Sequence, residues 1–393
     1  MINLNPDPCF VPHTAAVLGS TGSVGTQTLD VIRELGLTVE FLTAGENTSL
    51  LAEQIREFHP KTVAVGSEAA AGRLRDQLDG EKPEIIWKPD ETESLIETCV
   101  ADIIFHSVAG LNGLPSAMAA ARSGKRVGMA NKEAIIVAGD LIFDEMKKSG
   151  GHLLPVDSEH CAVFRCLEGK SPSDIRRILL TASGGPFFGK TAAEMARMTA
   201  EDALCHPTWK MGKKITVDCA TLMNKGFEII EAVRLFGMPE ERVSVVVHRQ
   251  SVIHSMVEFT DGTLLAQMGR PDMRDCIRYA ATAPHCAAIT SEPLDLTAIG
   301  KLTFEKPDTA AFPLLDTARE AIRIGGTAPV SLIAADEEAV DAFLGGHIGF
   351  TEISSYVIET LGKAAVSYEV NADTIRAAET EARQICRQLI QGK

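Results

Sequence analysis

The stretch AAVLGSTGSVG, residues 15–25, decides the fold of this chain. It is a short apolar run followed by glycines at GxxGxxG spacing, and an amphipathic segment, TLDVIREL (28–35), comes next. Glycines allow a tight turn and let the backbone approach a pyrophosphate, which then rests on the N-terminus of the following helix. The stretch therefore predicts a strand, a dinucleotide-binding turn and a helix. An ordinary strand-to-helix turn is the alternative.

The remainder of the first third repeats this alternation of β-like runs and helical segments. Further apolar runs lie at 38–45, 61–66, 101–108 and 125–130, and HLLPVDSEH (152–160) is interpreted as one more strand. Alternating strands and helices form βαβ units, which build a mostly parallel, doubly wound sheet. We therefore predict an α/β fold that begins with a Rossmann-like sheet.

The second half of the chain mixes strands and helices. RRILLTASGG (176–185) and KKITVDCATL (213–222) are predicted as strands, and NKGFEIIEAVRLFG (224–237) is predicted as a helix. Residues 243–268 are predicted as two long strands joined by a turn at Asp261-Gly262, a dipeptide that strongly indicates a hairpin. These elements predict a central α/β region.

Length and charge limit the possible functions. At about 150 residues per domain, 393 residues correspond to two or three domains. With 53 acidic and 38 basic residues the formal net charge is -15, which argues against binding to nucleic acid or to an anionic membrane. Small anionic substrates remain compatible with this charge, because a few lysines in one cleft reverse the local sign.

The chain is expected to be cytoplasmic and to cross no membrane. The basic start of a signal or transit peptide is missing, since no Lys or Arg precedes Arg33. The longest uncharged run, 103–121, contains polar, glycine and proline residues and is interpreted as a buried strand, a turn and the start of a helix. Nine cysteines without a CxxC pair indicate reduced thiols.

Two carboxylates near residue 158 suggest a metal site. Asp157 and Glu159 are separated by one residue on a stretch that is predicted to be a strand. A period of two places both carboxylates on one face, where they repel each other unless a cation lies between them. Oxygen ligands of this kind favour a hard ion such as Mg²⁺ or Mn²⁺. A strand end that reaches solvent is the alternative.

Asn224, Lys225 and Glu228 form a second polar group at the start of a predicted helix. Asn224 and Glu228 share a face at i,i+4 spacing, and Lys225 lies beside them. An amide, an ammonium and a carboxylate suit a phosphorylated polyol next to a metal, because Lys supplies a point charge for the anion. A capped amphipathic helix is the alternative.

The segment from Ser183 to Gly212 is interpreted as an active-site lid. SGGP (183–186) follows a β-like run and either holds a phosphate or forms a plain turn. CHPTW (205–209) carries one of only two tryptophans, and Trp and His on a hinged segment could cover a substrate and exclude water. A surface helix with a buried Trp is the alternative. His254, in a β-like run, is interpreted as a structural histidine.

Nine motifs follow one another along the chain. They are GSTGSVG (19–25), ANKE (130–133), PVDSEH (155–160), SGGPF (183–187), HPxW (206–209), MGxKI (211–215), TLMNKG (221–226), QSVIHSM (250–256) and QMGxPDM (267–273). Together with GTAP (326–329) and Gly349-Phe350, they closely resemble the 1-deoxy-D-xylulose 5-phosphate reductoisomerase family over nearly the whole chain. The resemblance implies a homodimer that rearranges and reduces 1-deoxy-D-xylulose 5-phosphate to 2-C-methyl-D-erythritol 4-phosphate in the non-mevalonate isoprenoid pathway.

The resemblance also implies which residues bind each ligand. The metal, which would be Mg²⁺, Mn²⁺ or Co²⁺, is bound by three carboxylates, those of Asp157, Glu159 and Glu228. Substrate binding and catalysis are implied for Lys132, Ser158, Glu159, His160, Ser183, His206, Trp209, Cys219, Asn224, Lys225, Glu228 and His254. Contacts to NADPH are implied for Thr21, Gly22, Ser23, Val24, Gly45, Asn47, Asn131, Glu133 and Gly212.

With these roles, the predicted organisation has four parts. Residues 1–156 form an NADPH-binding domain, and residues 157–282 form a catalytic and dimerisation domain with a mobile lid at about 183–213. A linker rich in Pro, Thr and Asp spans residues 283–312. Capped helical segments over residues 313–393 predict a C-terminal helical bundle.

Three positions depart from the family's usual sequence. Cys219 stands where the family usually has serine, and a thiol is a poor hydrogen-bond partner for a phosphate. Glu46 stands where a basic or small residue is common, and a carboxylate at the end of the second strand favours NAD. A solvated loop residue is the alternative for Glu46. Phe105-His106-Ser107 stands in place of the family's Asn-Ala-Ile-Val-Gly.

Two other functions remain as alternatives. The first is a reductase of another carbonyl substrate on the same scaffold, for which Ser183, Asn224 and Lys225 would have no purpose. The second is a non-catalytic NADPH-binding sensor, which would need neither the three carboxylates nor a lid.

Overall fold

The computed structural model describes residues 1–78, 80–209, 211–289 and 292–392. These residues divide into two compact units, of which the first contains 1–135, 139–164 and 272–293, apart from residues 79, 290 and 291. The second unit contains 136–138, 165–271 and 294–392, apart from residue 210. The division into four parts stays a prediction, and its linker includes residues 290 and 291, which lie outside the described residues.

A parallel sheet forms the centre of the first unit. Its described strands are β1 (Thr14–Leu18), β2 (Thr38–Thr43), β3 (Thr62–Ala64), β4 (Glu84–Ile86), β5 (Ile103–His106), β6 (Arg126–Met129) and β7 (His152–Pro155). Their order is β4-β3-β2-β1-β5-β6-β7, and all neighbouring pairs are parallel. The order reverses between β1 and β5, which is the point where doubly wound folds bind ligands. The predicted Rossmann-like sheet is confirmed.

Helices alternate with the strands along the chain and cover the sheet. They are α1 (Ser23–Leu35), α2 (Thr48–Phe58), α3 (Glu68–Gln77), α4 (Pro89–Thr98), α5 (Leu114–Arg122), α6 (Lys132–Ser149) and α7 (Ser158–Leu167). The side chains of β1 from Ala15 to Leu18 and those of β5 are buried, as expected for strands that are covered on both faces. The uncharged run 103–121 forms β5, a short 3₁₀ turn and the start of α5, which confirms its interpretation.

The prediction of a strand over residues 152–160 is only partly right, because the strand covers the first part of this stretch. β7 ends at Pro155 and α7 begins at Ser158. Asp157 caps the helix: its carboxylate Oδ1 accepts a hydrogen bond from the Glu159 N–H at 3.2 Å, and its carbonyl accepts one from the Cys161 N–H at 2.8 Å. The prediction that Asp157 and Glu159 share one face of a strand is therefore wrong, and both lie at a helix N-terminus.

A smaller sheet lies in the second unit. Its described strands are β8 (Ile175–Ala182), β9 (Val243–Val247), β10 (Ile253–Phe259) and β11 (Leu264–Met268), in the order β11-β10-β8-β9. β10 and β11 form the antiparallel hairpin predicted at Asp261-Gly262. β9 instead pairs in parallel with β8, so residues 243–268 contain three strands and not two long ones.

The prediction of a strand over residues 213–222 is wrong, because residues 213–221 form a helix. The segment after β8 contains α8 (Ala192–Met195), α9 (Ala200–Leu204), α10 (Lys213–Thr221) and α11 (Met223–Phe236). The β-branched residues of α10 mimic a strand pattern, since such residues favour strands on average. The helix is stabilised by an ion pair at i,i+4 spacing, in which Lys214 Nζ lies 2.7 Å from Asp218 Oδ2.

The C-terminal part of the chain is helical, as predicted. α12 (Met273–Thr282) belongs to the first unit, and the second unit continues with α13 (Leu296–Ile299), α14 (Leu314–Ile324), α15 (Ala328–Leu344), α16 (Phe350–Lys363) and α17 (Ala372–Gln391). Most residues of α15 are buried because α16 and α17 both pack against it. In the part of the chain that the structure describes, no helix is long and apolar enough to span a membrane.

Candidate active site

The glycine turn has the geometry that the sequence predicts. α1 begins at Ser23 directly after the turn, and no side chain caps its N-terminus at Gly22. A Cβ atom on Gly25 would lie 2.1 Å from the carbonyl oxygen of Gly19, so only glycine permits this close approach of helix and turn. Thr21, Gly22, Ser23 and Val24 are exposed or half-buried. The uncapped N–H groups of this helix start are therefore available to an anion.

Three more of the residues predicted to contact the dinucleotide lie after the ends of β2 and β6. Gly45 and Asn47 are exposed at the end of β2, and Asn47 caps α2 through the Leu50 N–H. Asn131 caps α6 through the Ala134 N–H at 2.6 Å and donates from Nδ2 to the carbonyl oxygens of Val108 and Gly110. Its side chain thus fixes the loop after β5, beside the glycine turn.

The remaining predicted dinucleotide contacts lie at two helix starts. Glu133 is half-buried in the first turn of α6, while Gly212 is the exposed N-cap of α10. Gly212 belongs to the second unit, whereas the glycine turn belongs to the first. A contact of Gly212 with the dinucleotide therefore stays a prediction.

Asp157 lies at the centre of a buried charged group in the first unit. Its Oδ2 lies 2.5 Å from Lys132 Nζ, and its Oδ1 lies 3.0 Å from His160 Nδ1. Burial raises the pKa of the Asp157 carboxyl, but the charges of Lys132 and His160 outweigh it and hold that pKa well below its usual range. Beside this group, the Ser158 hydroxyl donates to Glu159 Oε2 at 2.5 Å. The structure therefore gathers Lys132, Asp157, Ser158, Glu159 and His160 at the start of α7.

Glu228 is the centre of a corresponding group in the second unit. Asn224 Nδ2 donates to its Oε1 at 2.5 Å, and Lys225 Nζ forms a short ion pair with its Oε2. All three side chains are buried. The predicted shared helix face is confirmed, because the contact between Asn224 and Glu228 has i,i+4 spacing on α11.

His206 and Ser183 form a polar contact on the segment interpreted as a lid. His206 Nδ1 accepts hydrogen bonds from the backbone N–H groups of Thr208 and Trp209, at 3.2 and 2.9 Å. Nδ1 therefore carries no proton, and Nε2 donates to the Ser183 hydroxyl at 3.0 Å. Burial lowers the pKa of His206 to about 4, and the positive charge of Arg249 acts in the same direction. His206 is thus neutral at physiological pH.

The Ser183 hydroxyl is oriented by its two donors. It accepts from His206 Nε2 and from the Gly185 N–H, the latter at 3.2 Å, so its own proton points to a further acceptor. A Cβ atom on Gly185 would lie 2.5 Å from the carbonyl oxygen of Cys219, and this contact places the loop against α10. The loop after β8 therefore offers a preformed hydroxyl donor beside half-buried Cys219.

Trp209 and His254 lie near each other, with ring centroids 6.2 Å apart. His254 is buried on β10, and its Nε2 lies 3.1 Å from the carbonyl oxygen of Arg270. The segment 183–213 carries two short helices, each with a capping box at Thr191 or Thr199. Its residue 210 lies outside the described residues, and its mobility stays a prediction.

Sequence reasoning missed Arg249, which fixes the Ser183 loop. Its Nη1 donates to the carbonyl oxygens of Ser183 and Gly185, at 2.9 and 2.8 Å. Its position directly before the motif QSVIHSM (250–256) is the one signal that could have drawn attention to it. The contact spans more than sixty residues, and no local pattern predicts it.

Comparison with known proteins assigns the family. The models for 1-deoxy-D-xylulose 5-phosphate reductoisomerase match residues 15–139 and, for the C-terminal domains, residues 153–236 and 268–385. The 1-deoxy-D-xylulose 5-phosphate reductoisomerase of Prosthecochloris aestuarii is 47% identical over 371 residues, which cover 94% of this chain and 97% of the relative. The chain belongs to the 1-deoxy-D-xylulose 5-phosphate reductoisomerase family.

Solved reductoisomerase structures match the same extent of the chain. That of Zymomonas mobilis, in complex with NADPH, is 40% identical, has a TM-score of 0.90 and covers 97% of this chain and 100% of its own. A reductoisomerase in complex with NADPH, fosmidomycin and magnesium is 35% identical, has a TM-score of 0.89 and covers 96% of this chain and 98% of its own. The predicted family and the predicted fold class are confirmed. Which ligand each site residue binds stays a prediction.

Proposed function

We propose that this chain converts 1-deoxy-D-xylulose 5-phosphate to 2-C-methyl-D-erythritol 4-phosphate, using NADPH and a divalent cation. The observation that carries the proposal is membership of the reductoisomerase family over nearly the whole chain, since the relatives bear that name and solved neighbours are complexes with NADPH and with magnesium. The purified protein should oxidise NADPH only when the substrate and a divalent cation are both present. No substrate-dependent loss of NADPH absorbance with Mg²⁺, Mn²⁺ or Co²⁺ would overturn the proposal.

The oxygen ligands fit a hard cation. We assign Asp157, Glu159 and Glu228 as ligands of Mg²⁺, Mn²⁺ or Co²⁺, because carboxylate oxygens suit such ions. Each of the two buried carboxylates, Asp157 and Glu228, is bonded to a lysine, as a buried anion requires a compensating cation. When bound, the cation polarises neighbouring substrate oxygens and NADPH supplies the hydride that reduces the rearranged aldehyde.

The groups around these carboxylates would hold the sugar phosphate. Ser183 offers a directed hydroxyl proton, and Lys225 offers an ammonium once Glu228 binds the cation. Asn224 and Ser158 would bind substrate oxygens, and His206 would act through Ser183, whose hydroxyl it orients from Nε2. A directed hydroxyl donor and an ammonium count against a simple aldehyde or keto acid as the substrate, because neither carries a phosphate.

Five further side chains would complete the site. Trp209 would cover the substrate from the segment interpreted as a lid and exclude water from it. His254, which lies near Trp209, and His160, which orients Asp157, would shape the same site. Cys219 would take the place of a serine contact to the phosphate, while Lys132 would balance the charge of Asp157.

Dinucleotide binding is assigned to the first unit. The uncapped start of α1, with Thr21, Gly22, Ser23 and Val24, would hold the pyrophosphate. Gly45 and Asn47 at the end of β2 would contact the adenosine ribose, because this point of the fold lies next to the glycine turn. Asn131, Glu133 and Gly212 would make further contacts to NADPH.

We further propose a homodimer in the cytoplasm. β11 is the edge of the described four-stranded sheet, and Leu264 and Leu265 on it are 48% and 37% exposed. An exposed apolar edge strand is a template for association, so a second copy would cover it. The proposed location rests on the sequence, because nine cysteines without a CxxC pair favour a reducing compartment.

A further inference from the structure

Glu46, at the end of β2, forms an ion pair with Arg73 on α3. Arg73 Nη2 lies 2.5 Å from Glu46 Oε2, and the Ser67 hydroxyl donates to Glu46 Oε1 at 2.9 Å. Ser67 in turn accepts from the Ala70 N–H at 3.1 Å, because it is the N-cap of α3. The carboxylate is therefore fixed from two sides by residues that follow the neighbouring strand β3.

The pair lies where a dinucleotide fold distinguishes its two common cofactors. β2 is the neighbour of β1, and the Gly19 N–H donates to the Thr43 carbonyl oxygen at 3.0 Å. A carboxylate after β2 binds the ribose hydroxyls of NAD, whereas an arginine there accommodates the 2′-phosphate of NADP. Glu46 alone would therefore favour NADH and repel NADPH. Arg73 changes this expectation, because it extends from α3 and places a guanidinium beside Glu46, where NADP-binding folds have an arginine.

The charge and exposure of the pair allow it to meet a ligand. The hydrogen bonds of Arg73 and then of Ser67 lower the pKa of Glu46, so its carboxylate is ionised and the pair is neutral. The side chains of Arg73 and Glu46 are 48% and 64% exposed. Arginine carries five N–H donors, and the bonds to Glu46 use Nη2 alone. The rest of the planar guanidinium is not committed to Glu46.

We propose that Arg73 is the residue of this chain that recognises the 2′-phosphate of NADPH, and that Glu46 competes with that phosphate for it. Ser67 holds Glu46 in place and so sets the position of Arg73. The inference rests on the proposed use of NADPH and adds the residues that set the preference over NADH. Because the Glu46 carboxylate and the phosphate bind the same guanidinium, removing Arg73 should weaken the preference for NADPH over NADH. Removing the charge of Glu46 should strengthen that preference.

The test measures binding of NADP⁺ and NAD⁺ to the full-length protein by isothermal titration calorimetry. Arg73→Ala should weaken NADP⁺ binding about tenfold to a hundredfold, the range for a lost charge-assisted hydrogen bond, and change NAD⁺ binding less than about threefold. Glu46→Gln should strengthen NADP⁺ binding about threefold, because the competing carboxylate is gone while Ser67 and Arg73 remain. Arg75→Ala, which removes another exposed arginine of α3, is the matched control and should change neither affinity more than about twofold.

The possible failures are distinguishable. A protein that binds neither dinucleotide would overturn the proposed function. If the protein binds NADP⁺ and Arg73→Ala leaves the ratio of the two affinities unchanged, the function stands and the role of Arg73 is wrong. A loss of NADP⁺ affinity in Glu46→Gln would likewise show that Glu46 does not compete for Arg73. Both side chains lie on the surface, and an unchanged circular dichroism spectrum would establish that each variant folds.

Discussion

At the residue scale, Glu228 is the proposed metal ligand that a substitution tests best. It is a buried carboxylate that bonds to the ammonium of Lys225 and the amide of Asn224. Glu228→Gln keeps the shape of the side chain and its carbonyl acceptor for Asn224, but removes the charge. We expect the variant to fold and to lose metal-dependent turnover by at least about 100-fold, since even changes behind a metal ligand cost about 10- to 100-fold. Mn²⁺ binding followed by electron paramagnetic resonance checks the cause, because the affinity should fall together with turnover.

Glu258→Gln provides the control for that experiment. Glu258 lies on β10 and pairs with Arg176 and Arg177 near the surface, so its loss removes a carboxylate without touching the proposed ligands. Near-normal turnover in Glu228→Gln, or an equal loss in Glu258→Gln, would remove Glu228 from the ligand set.

His106 gives a pH-dependent prediction at the same scale. Burial lowers its pKa to about 4 from an ordinary value of 6.5, while its Nε2 lies 3.1 Å from the Gly113 carbonyl oxygen. Between pH 6.5 and pH 4, His106 binds a proton in the unfolded chain but stays neutral in the folded protein. The stability that neutral His106 contributes is therefore complete above pH 6.5 and decreases as the pH falls towards 4. Between pH 7.5 and pH 5 this effect lowers the free energy of unfolding by about 2 kcal/mol.

The comparison with His106→Gln isolates that contribution. Chemical denaturation at both pH values should show a smaller acid-induced loss of stability for His106→Gln than for the wild type. Equal losses in wild type and His106→Gln would show that His106 does not resist protonation in the folded state.

At the element scale, α10 depends on an ion triad that connects it to α15. Lys214 Nζ lies 2.7 Å from Asp218 Oδ2 and 2.6 Å from Asp336 Oδ2. Burial and then the charge of Asp336 raise the pKa of Asp218 well above its usual value. Lys214→Met leaves two buried carboxyl groups without their shared cation, and we expect it to reduce the free energy of unfolding by about 3 kcal/mol.

Asp218→Asn is the informative counterpart, because it relieves the repulsion from Asp336 and leaves Lys214 paired. It should change stability by less than about 1 kcal/mol. Urea denaturation at neutral pH measures both variants. An equal effect of the two substitutions would mean that the shared lysine is not what stabilises the junction of α10 and α15.

The elements also show what the sequence could and could not predict. The central strands β1 and β5 are buried apolar runs that alternate with helices, so their order of residues was enough to predict them. The stretch 213–222 was not, because its β-branched residues favour a strand while Lys214 and its two acidic partners favour a helix. Asp336 lies more than one hundred residues away, and only the fold brings it to Lys214.

The candidate site divides in the same way. Asn224 and Glu228 interact within one helix, so their spacing predicts the contact. The bond between Lys132 and Asp157 joins two motifs that the sequence singled out, but nothing in their separate spacing predicts that they pair. Arg73 and Arg249 act on partners from distant segments, and they were missed for that reason.

At the scale of the whole molecule, the proposed homodimer depends on the edge strand β11. Leu264→Lys places a charge on the exposed apolar edge, which is a common way to prevent edge-to-edge pairing. We expect the variant to elute with the mass of one chain in light scattering after size exclusion, while the wild type elutes with twice that mass. Thr263→Lys, at the adjoining turn, tests whether charge alone is responsible. A dimer in Leu264→Lys would place the interface elsewhere.

The central claim is that one site both rearranges the carbon skeleton and reduces it. Nuclear magnetic resonance of the product formed from ¹³C-labelled 1-deoxy-D-xylulose 5-phosphate, NADPH and Mg²⁺ tests it most directly. The account predicts a branched product, 2-C-methyl-D-erythritol 4-phosphate, in an amount equal to the NADPH consumed. An unbranched deoxypentitol phosphate would show reduction without rearrangement and would contradict the claim.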